Sequence, residues 1–161
     1  MIGATPAPMD KGHTIPSMTT IRFTLPSAVH LFLFQGDQVL LLLRQNTGYE
    51  DGNFSVIAGH LEGDETVIAA AMREAAEEAG IRLQAEDIEV VGVMHRREDD
   101  ERIDWFLTAT RWSGSIKNME PEKCADLRWS ALNQLPANII PYVRRALENF
   151  QQGRWFEAFG W

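Results

Sequence analysis

From Pro26 onward, apolar and polar positions fall into blocks. Ala28 to Phe34 and Val39 to Leu43 are short apolar runs, and the Gln35-Gly36-Asp37-Gln38 segment between them has the composition of a hairpin turn. The two runs therefore predict paired strands of one sheet. Arg44 to Asn53 is polar and turn-rich, with Gly48 and Asp51-Gly52, and Phe54 to Ile57 then predicts another short strand running into Gly59. At Thr66 the period changes. Thr66 to Ala79 contains no Gly or Pro, and Val67, Ile68, Ala71, Ala75 and Ala79 recur at spacings of three and four, the stripe of a helix packed closely on a sheet. Gly80 can take the left-handed conformation that ends such a helix. Ile88 to Met94 and Asp104 to Arg111 predict strands flanking a charged turn, Arg96 to Arg102. Leu127 to Trp129 is a further short strand, and Pro141 to Phe150 a second helix whose proline suits the first turn. Strands interspersed with two helices imply an α+β or α/β sandwich rather than a bundle or an all-β barrel.

Composition narrows the class. The 161 residues and 45% hydrophobic content suit one compact domain that needs no disulfide or structural metal. Residues 1–20 hold three prolines among Thr, Ser, Gly and Met without a lasting apolar period, so a flexible leader is expected there and a single domain over 21–161. Fifteen Lys and Arg against 23 Asp and Glu give a net charge of -8, which disfavours nucleic acid and anionic lipid as partners. The same charge repels an anionic small substrate, so phosphate chemistry here needs bound cations. The stretch Val29 to Leu43 comes nearest to a membrane span but is interrupted by its polar turn. Cys124 is the only cysteine, best read as a small buried hydrophobe, and a reducing cytoplasm fits it.

Chemistry concentrates between Gly59 and Ile81. On a helix turning about 100° per residue, Glu74, Glu77 and Glu78 share one face. They stand in the last turns, where the helix dipole and their mutual repulsion both disfavour them, and a cation would reverse both effects. A cluster of oxygen ligands suits Mg²⁺ or Mn²⁺ better than zinc. An isolated Glu-Glu pair would more often be a solvated acidic face.

The spacing decides against that bland reading. Gly59, five residues, Glu65, seven residues, Arg73-Glu74-Ala75, one residue, Glu77-Glu78, one residue, Gly80-Ile81 resembles the Nudix box at every fixed position. Seven fixed positions match by chance about once in 10⁹ starts. Ala75 is small for its aliphatic position, and Ala58 stands where many members have glycine. The resemblance, which extends over roughly Pro26 to Phe150, implies a Nudix-type α/β/α sandwich with a mixed central sheet. It implies that Glu74, Glu77 and Glu78 ligate Mg²⁺ or Mn²⁺, with the Gly59 carbonyl a further candidate, while Glu65 and Arg73 brace the loop-helix-loop. Glu77 is the first candidate for the general base, although spacing alone does not separate base from ligand in a coupled cluster. His60, at a variable position of the box, reads as a loop residue.

Beyond the box, Asn118-Met119-Glu120-Pro121-Glu122-Lys123-Cys124 resembles a loop of MutT-like nucleoside triphosphate pyrophosphatases, in which a glutamate joins the metal site. Glu120 is then either that mobile ligand or an ordinary solvated glutamate. Trp155, Phe156, Phe159 and Trp161 can cap the core, stack on a base or form a homodimer contact, with core packing the default. The resemblance implies cleavage of a nucleoside triphosphate, a small-molecule nucleotide, to monophosphate and pyrophosphate. Two alternatives are another linked nucleoside diphosphate and a non-catalytic nucleotide-binding module; loss of box glutamates would favour the latter, and none is lost.

Overall fold

The computed structural model describes residues 22–161, so the leader expected over residues 1–20 lies outside the described residues. In chain order the elements are β1 (Ser27–Gln35), β2 (Gln38–Arg44), β3 (Phe54–Ser55), β4 (Ile57–His60), α1 (Val67–Ala79), β5 (Ile88–Arg97), β6 (Glu101–Ala109), β7 (Cys124–Ala131), α2 (Pro141–Gln151) and β8 (Phe156–Phe159). The described strands form one mixed sheet in the order β3-β2-β1-β6-β5-β8, with β7 beside β2 and β4 beside β1.

Strand β1 organises the molecule because both of its faces are buried. Its alternating side chains go to opposite layers: Val29, Leu31 and Leu33 pack with Ala70, Ala71 and Ala75 of α1. Phe32 and Phe34 pack with Val143, Ala146 and Leu147 of α2. The α/β/α sandwich follows, and the run at 28–34, apolar on both faces apart from His30, was its signature in the sequence. Thr66 caps α1 by accepting the Ala69 N–H at 3.1 Å, and Gly80 ends it with φ 68°.

One edge of β1 pairs with β6 in parallel. The other edge is shared: Phe34 and Gln35 pair with β2, whereas Ala28 to Leu31 pair antiparallel with β4. A cleft opens where β2 and β4 part. This division also corrects one expectation, a single strand over Phe54 to Ile57. The chain breaks at Val56 because Phe54 and Ser55 pair with β2 and the next four residues pair with β1.

Two other expectations change. Arg96 and Arg102 are not turn residues, since β5 runs on to Arg97 and β6 begins at Glu101. Arg96 is buried in this hairpin because its Nε donates to Asp104 Oδ2 at 2.6 Å and its guanidinium lies 3.9 Å from the Tyr142 ring centroid. At the C-terminus, Phe156 to Phe159 form the parallel edge strand β8 on β5 rather than a core cap. Only Phe159 packs into the core, while Trp155, Phe156 and Trp161 are exposed. Among the described residues, no helix is long and apolar enough to cross a membrane.

Candidate active site

The cleft between β2 and β4 has a volume of about 400 Å³, and Glu74, Glu77, Glu78 and Glu120 all line it. Three of these come from the last two turns of α1, and the fourth from the loop before β7. His60 also lines the cleft, but as the last residue of β4 rather than in a loop. Gly59, its neighbour in β4, backs directly onto Glu74.

Arg73 ties these groups together. Its Nη2 and Nε donate to Glu65 at 2.8 and 3.2 Å, and its Nη1 donates to Glu74 Oε1 at 2.6 Å and Glu77 Oε2 at 3.3 Å. Nη2 also donates to the His60 carbonyl at 3.1 Å, which joins α1 to the end of β4. Glu65 in turn accepts the Glu62 N–H at 2.7 Å, and its carboxyl is held below the usual range chiefly by Arg73. Glu65 and Arg73 therefore span the loop-helix junction from both sides.

The carboxylates that face the cleft are crowded. Burial, first, pushes the Glu78 carboxyl up to about 8; Glu74 and Glu120 push the same way, against the Ala58 N–H that donates to it at 3.1 Å. Burial also raises Glu74, against Arg73 and with Glu77 and Glu120. Ala58 thus serves through its amide, which its methyl group does not obstruct. Each of the four carboxylates has one oxygen engaged, to Arg73, Arg73, the Ala58 amide and Lys123 respectively. Among the described residues their second oxygens carry no hydrogen bond. No three metal-ligating side chains are already drawn together as a finished metal cage among the described residues. The donor set nevertheless fits a hard divalent cation, being all oxygen and carrying charge that its surroundings do not fully neutralise.

Gly59 is required here for room, not for a left-handed backbone. A Cβ at this position would fall inside the Glu74 carboxylate. Gly59→Ala should therefore displace Glu74 from Arg73 and lower kcat by at least about tenfold, with a melting temperature within about 5 °C of wild type. Parallel kinetics and thermal melts check this. A variant with wild-type kcat would mean that the position of Glu74 is immaterial.

Sequence reasoning did not single out the opposite wall. Arg44, closing β2, and Thr47 line it, as does Lys123 beside Glu120. Arg44 donates to the Tyr49 carbonyl at 2.9 Å and to Thr47 Oγ1 at 3.0 Å. A charged residue closing an apolar run is too common to mark such a position. Cys124 is buried, its thiol pushed up by burial, as a packing residue rather than a nucleophile should be.

One helix thus carries three glutamates into a cleft opened by a divided strand edge, an arrangement of acidic oxygens suited to a cation-assisted hydrolase. The NUDIX domain profile matches residues 24–152, and the chain belongs to the Nudix family. The MutT NUDIX hydrolase of Burkholderia pseudomallei superposes with a TM-score of 0.72 at 25% identity, over 78% of this chain and 98% of that one. The MutT protein of Methanosarcina mazei Go1 gives 0.69 at 18% identity, over 83% and 97%. A UDP-X diphosphatase gives 0.59 at 16% identity, over 89% and 70%. The protein is a MutT-like Nudix hydrolase, an enzyme of pyrophosphate linkages in nucleoside diphosphate derivatives, and such enzymes generally use divalent metal ions.

Proposed function

We propose that this enzyme hydrolyses nucleoside triphosphates to the monophosphate and pyrophosphate with Mg²⁺, in a single domain spanning residues 21–161. The observation that carries this reading is the meeting of Glu120 with Glu74, Glu77 and Glu78 in one cleft. In this reading Glu74, Glu77, Glu78, Glu120 and the Gly59 carbonyl would hold the cation, with Mn²⁺ as a substitute. Bound there, a divalent ion would neutralise phosphate oxygens and acidify water. Arg73 keeps Glu74 and Glu77 at fixed positions, and Glu65 keeps Arg73. Water attacks phosphorus, the phosphoanhydride oxygen leaves, and one carboxylate takes the water's proton. Glu77 is assigned that role: its side chain is 54% exposed and open to water, whereas burial pushes Glu78 up to about 8, so near neutral pH it mostly keeps its own proton until a cation displaces it. The buried free thiol of Cys124 accords with a cytoplasmic setting.

A panel of nucleoside triphosphates, nucleotide sugars and dinucleotides, assayed for pyrophosphate and monophosphate release, tests the substrate class. Pyrophosphate release from triphosphates is the expected result. Preference for a nucleotide sugar would move the enzyme toward the UDP-X diphosphatase neighbour. Glu120→Gln should lower kcat by at least about tenfold with unchanged stability, and an unaltered rate would return Glu120 to the solvated surface.

A further inference from the structure

Three cations line the cleft, and they are held very differently. Arg73 is fixed by two carboxylates on its own helix, by Glu65 and by the His60 carbonyl. Arg44 is fixed by the Tyr49 carbonyl and the Thr47 hydroxyl. Lys123 has one side-chain partner among the described residues, Glu120 Oε1 at 2.7 Å, and its side chain is 56% exposed against 28% for Glu120. It alone of the three can change partner without undoing a loop or a helix.

The backbone beneath this pair is rigidly built. Lys123 N and Cys124 N both donate to the Glu120 carbonyl at 2.9 Å, and the Glu120 N–H donates to Asn118 Oδ1 at 3.1 Å. The loop after β2 grips the same turn: Gln45 N donates to the Lys123 carbonyl at 2.8 Å, and Gln45 Nε2 to the Pro121 carbonyl at 2.7 Å. Any rearrangement of Glu120 and Lys123 is therefore one of side-chain rotation. An exposed ion pair of this kind is weak enough to exchange. If Glu120 turns toward a cation, the ammonium loses its one hydrogen-bonded carboxylate, with Glu122 and Glu78 acting on it only through space, and a phosphate oxygen fills the vacated place.

We propose that Lys123 trades partners during binding: it holds the Glu120 carboxylate here and takes the phosphate chain of the substrate once Glu120 is drawn to the divalent cation. This rests on Glu120 acting as a ligand, as read above. Lys123 thereby competes with the cation and cooperates with the phosphate, so its removal acts on the two affinities with opposite signs. A solvated lysine would alter neither.

The test measures Mn²⁺ binding by electron paramagnetic resonance, and calorimetric binding of methylenediphosphonate, a base-free and non-hydrolysable pyrophosphate analogue, at saturating Mg²⁺. Lys123→Met should raise Mn²⁺ affinity about two- to fivefold and lower methylenediphosphonate affinity by about tenfold or more. Lys123→Arg, which keeps the charge, should recover most of both. Unchanged affinities, or a change in only one, overturn the exchange. Glu120→Gln serves as the control: if it weakens Mn²⁺ binding while Lys123→Met changes nothing, the exchange alone is wrong. If Glu120→Gln leaves Mn²⁺ binding unaffected, the assignment of Glu120 as a ligand fails and the exchange fails with it.

Discussion

Glu77→Gln should abolish most turnover, with kcat down by about a thousandfold, while the fold and the melting temperature stay close to wild type. The substitution keeps side-chain volume and removes one charge from an exposed position at the mouth of the cleft. Its contact with Arg73 is the longest of that arginine's carboxylate bonds, 3.3 Å, so little structural support is lost. Steady-state kinetics at saturating Mg²⁺, with a thermal melt on the same sample, provide the check. Near wild-type turnover would show that Glu77 is neither the base nor an essential ligand.

Chelation has the second large effect: EDTA should silence the enzyme and Mg²⁺ or Mn²⁺ should restore it, with circular dichroism unchanged because the two apolar layers hold the fold. The pH dependence has a definite sign. Glu78 titrates near 8 in the folded chain against an ordinary 4.5, so its contribution to stability is present below about 4.5 and is lost as pH rises toward 8. Glu74 is shifted in the same direction. Without added metal the melting temperature should fall by several degrees between about pH 5 and pH 8, and Mg²⁺ should reverse this increasingly as pH rises. At pH 7, Mg²⁺ binding should release about one proton, read as a dependence of calorimetric enthalpy on the buffer's ionisation enthalpy. A melting temperature that rises over this range, or binding without proton release, would contradict the crowding of these carboxylates.

Much of this architecture was legible in the chain because burial leaves a period. The runs at 28–34 and 39–43 read as strands because both sheet faces are covered, and α1 was delimited by Thr66 and Gly80, whose caps are local. What escaped notice depended on pairing between distant residues. The division at Val56 is set by which neighbour each half joins, and nothing in Phe54 to Gly59 encodes that choice locally. Arg96 looked like a turn residue because a buried arginine is recognisable only once Asp104 and Tyr142 stand beside it. β8 went unseen because four residues are too few to show a period, and its inward face is only half-buried, with the charged Glu157 beside Phe159. The box glutamates lie within one helix and were visible together; Arg44 and Lys123 belong to segments that meet them only across the fold.

The shared edge of β1 separates two jobs within one polypeptide. The glutamates of the helix sit on α1, bound to β4 by Arg73, whereas the facing wall, Glu120 and Lys123 included, comes from β2, its following loop and the turn before β7. Besides β1, the two sides are tied where the Lys117 and Met119 N–H groups donate to the Ala79 and Glu78 carbonyls at the end of α1, at 3.0 and 3.1 Å. Among the described residues β2 and the loop after it make no hydrogen bond to α1, so variation there can accumulate without disturbing the acidic helix, and a lineage built on this plan can change the molecule it admits while its hydrolytic half is inherited intact.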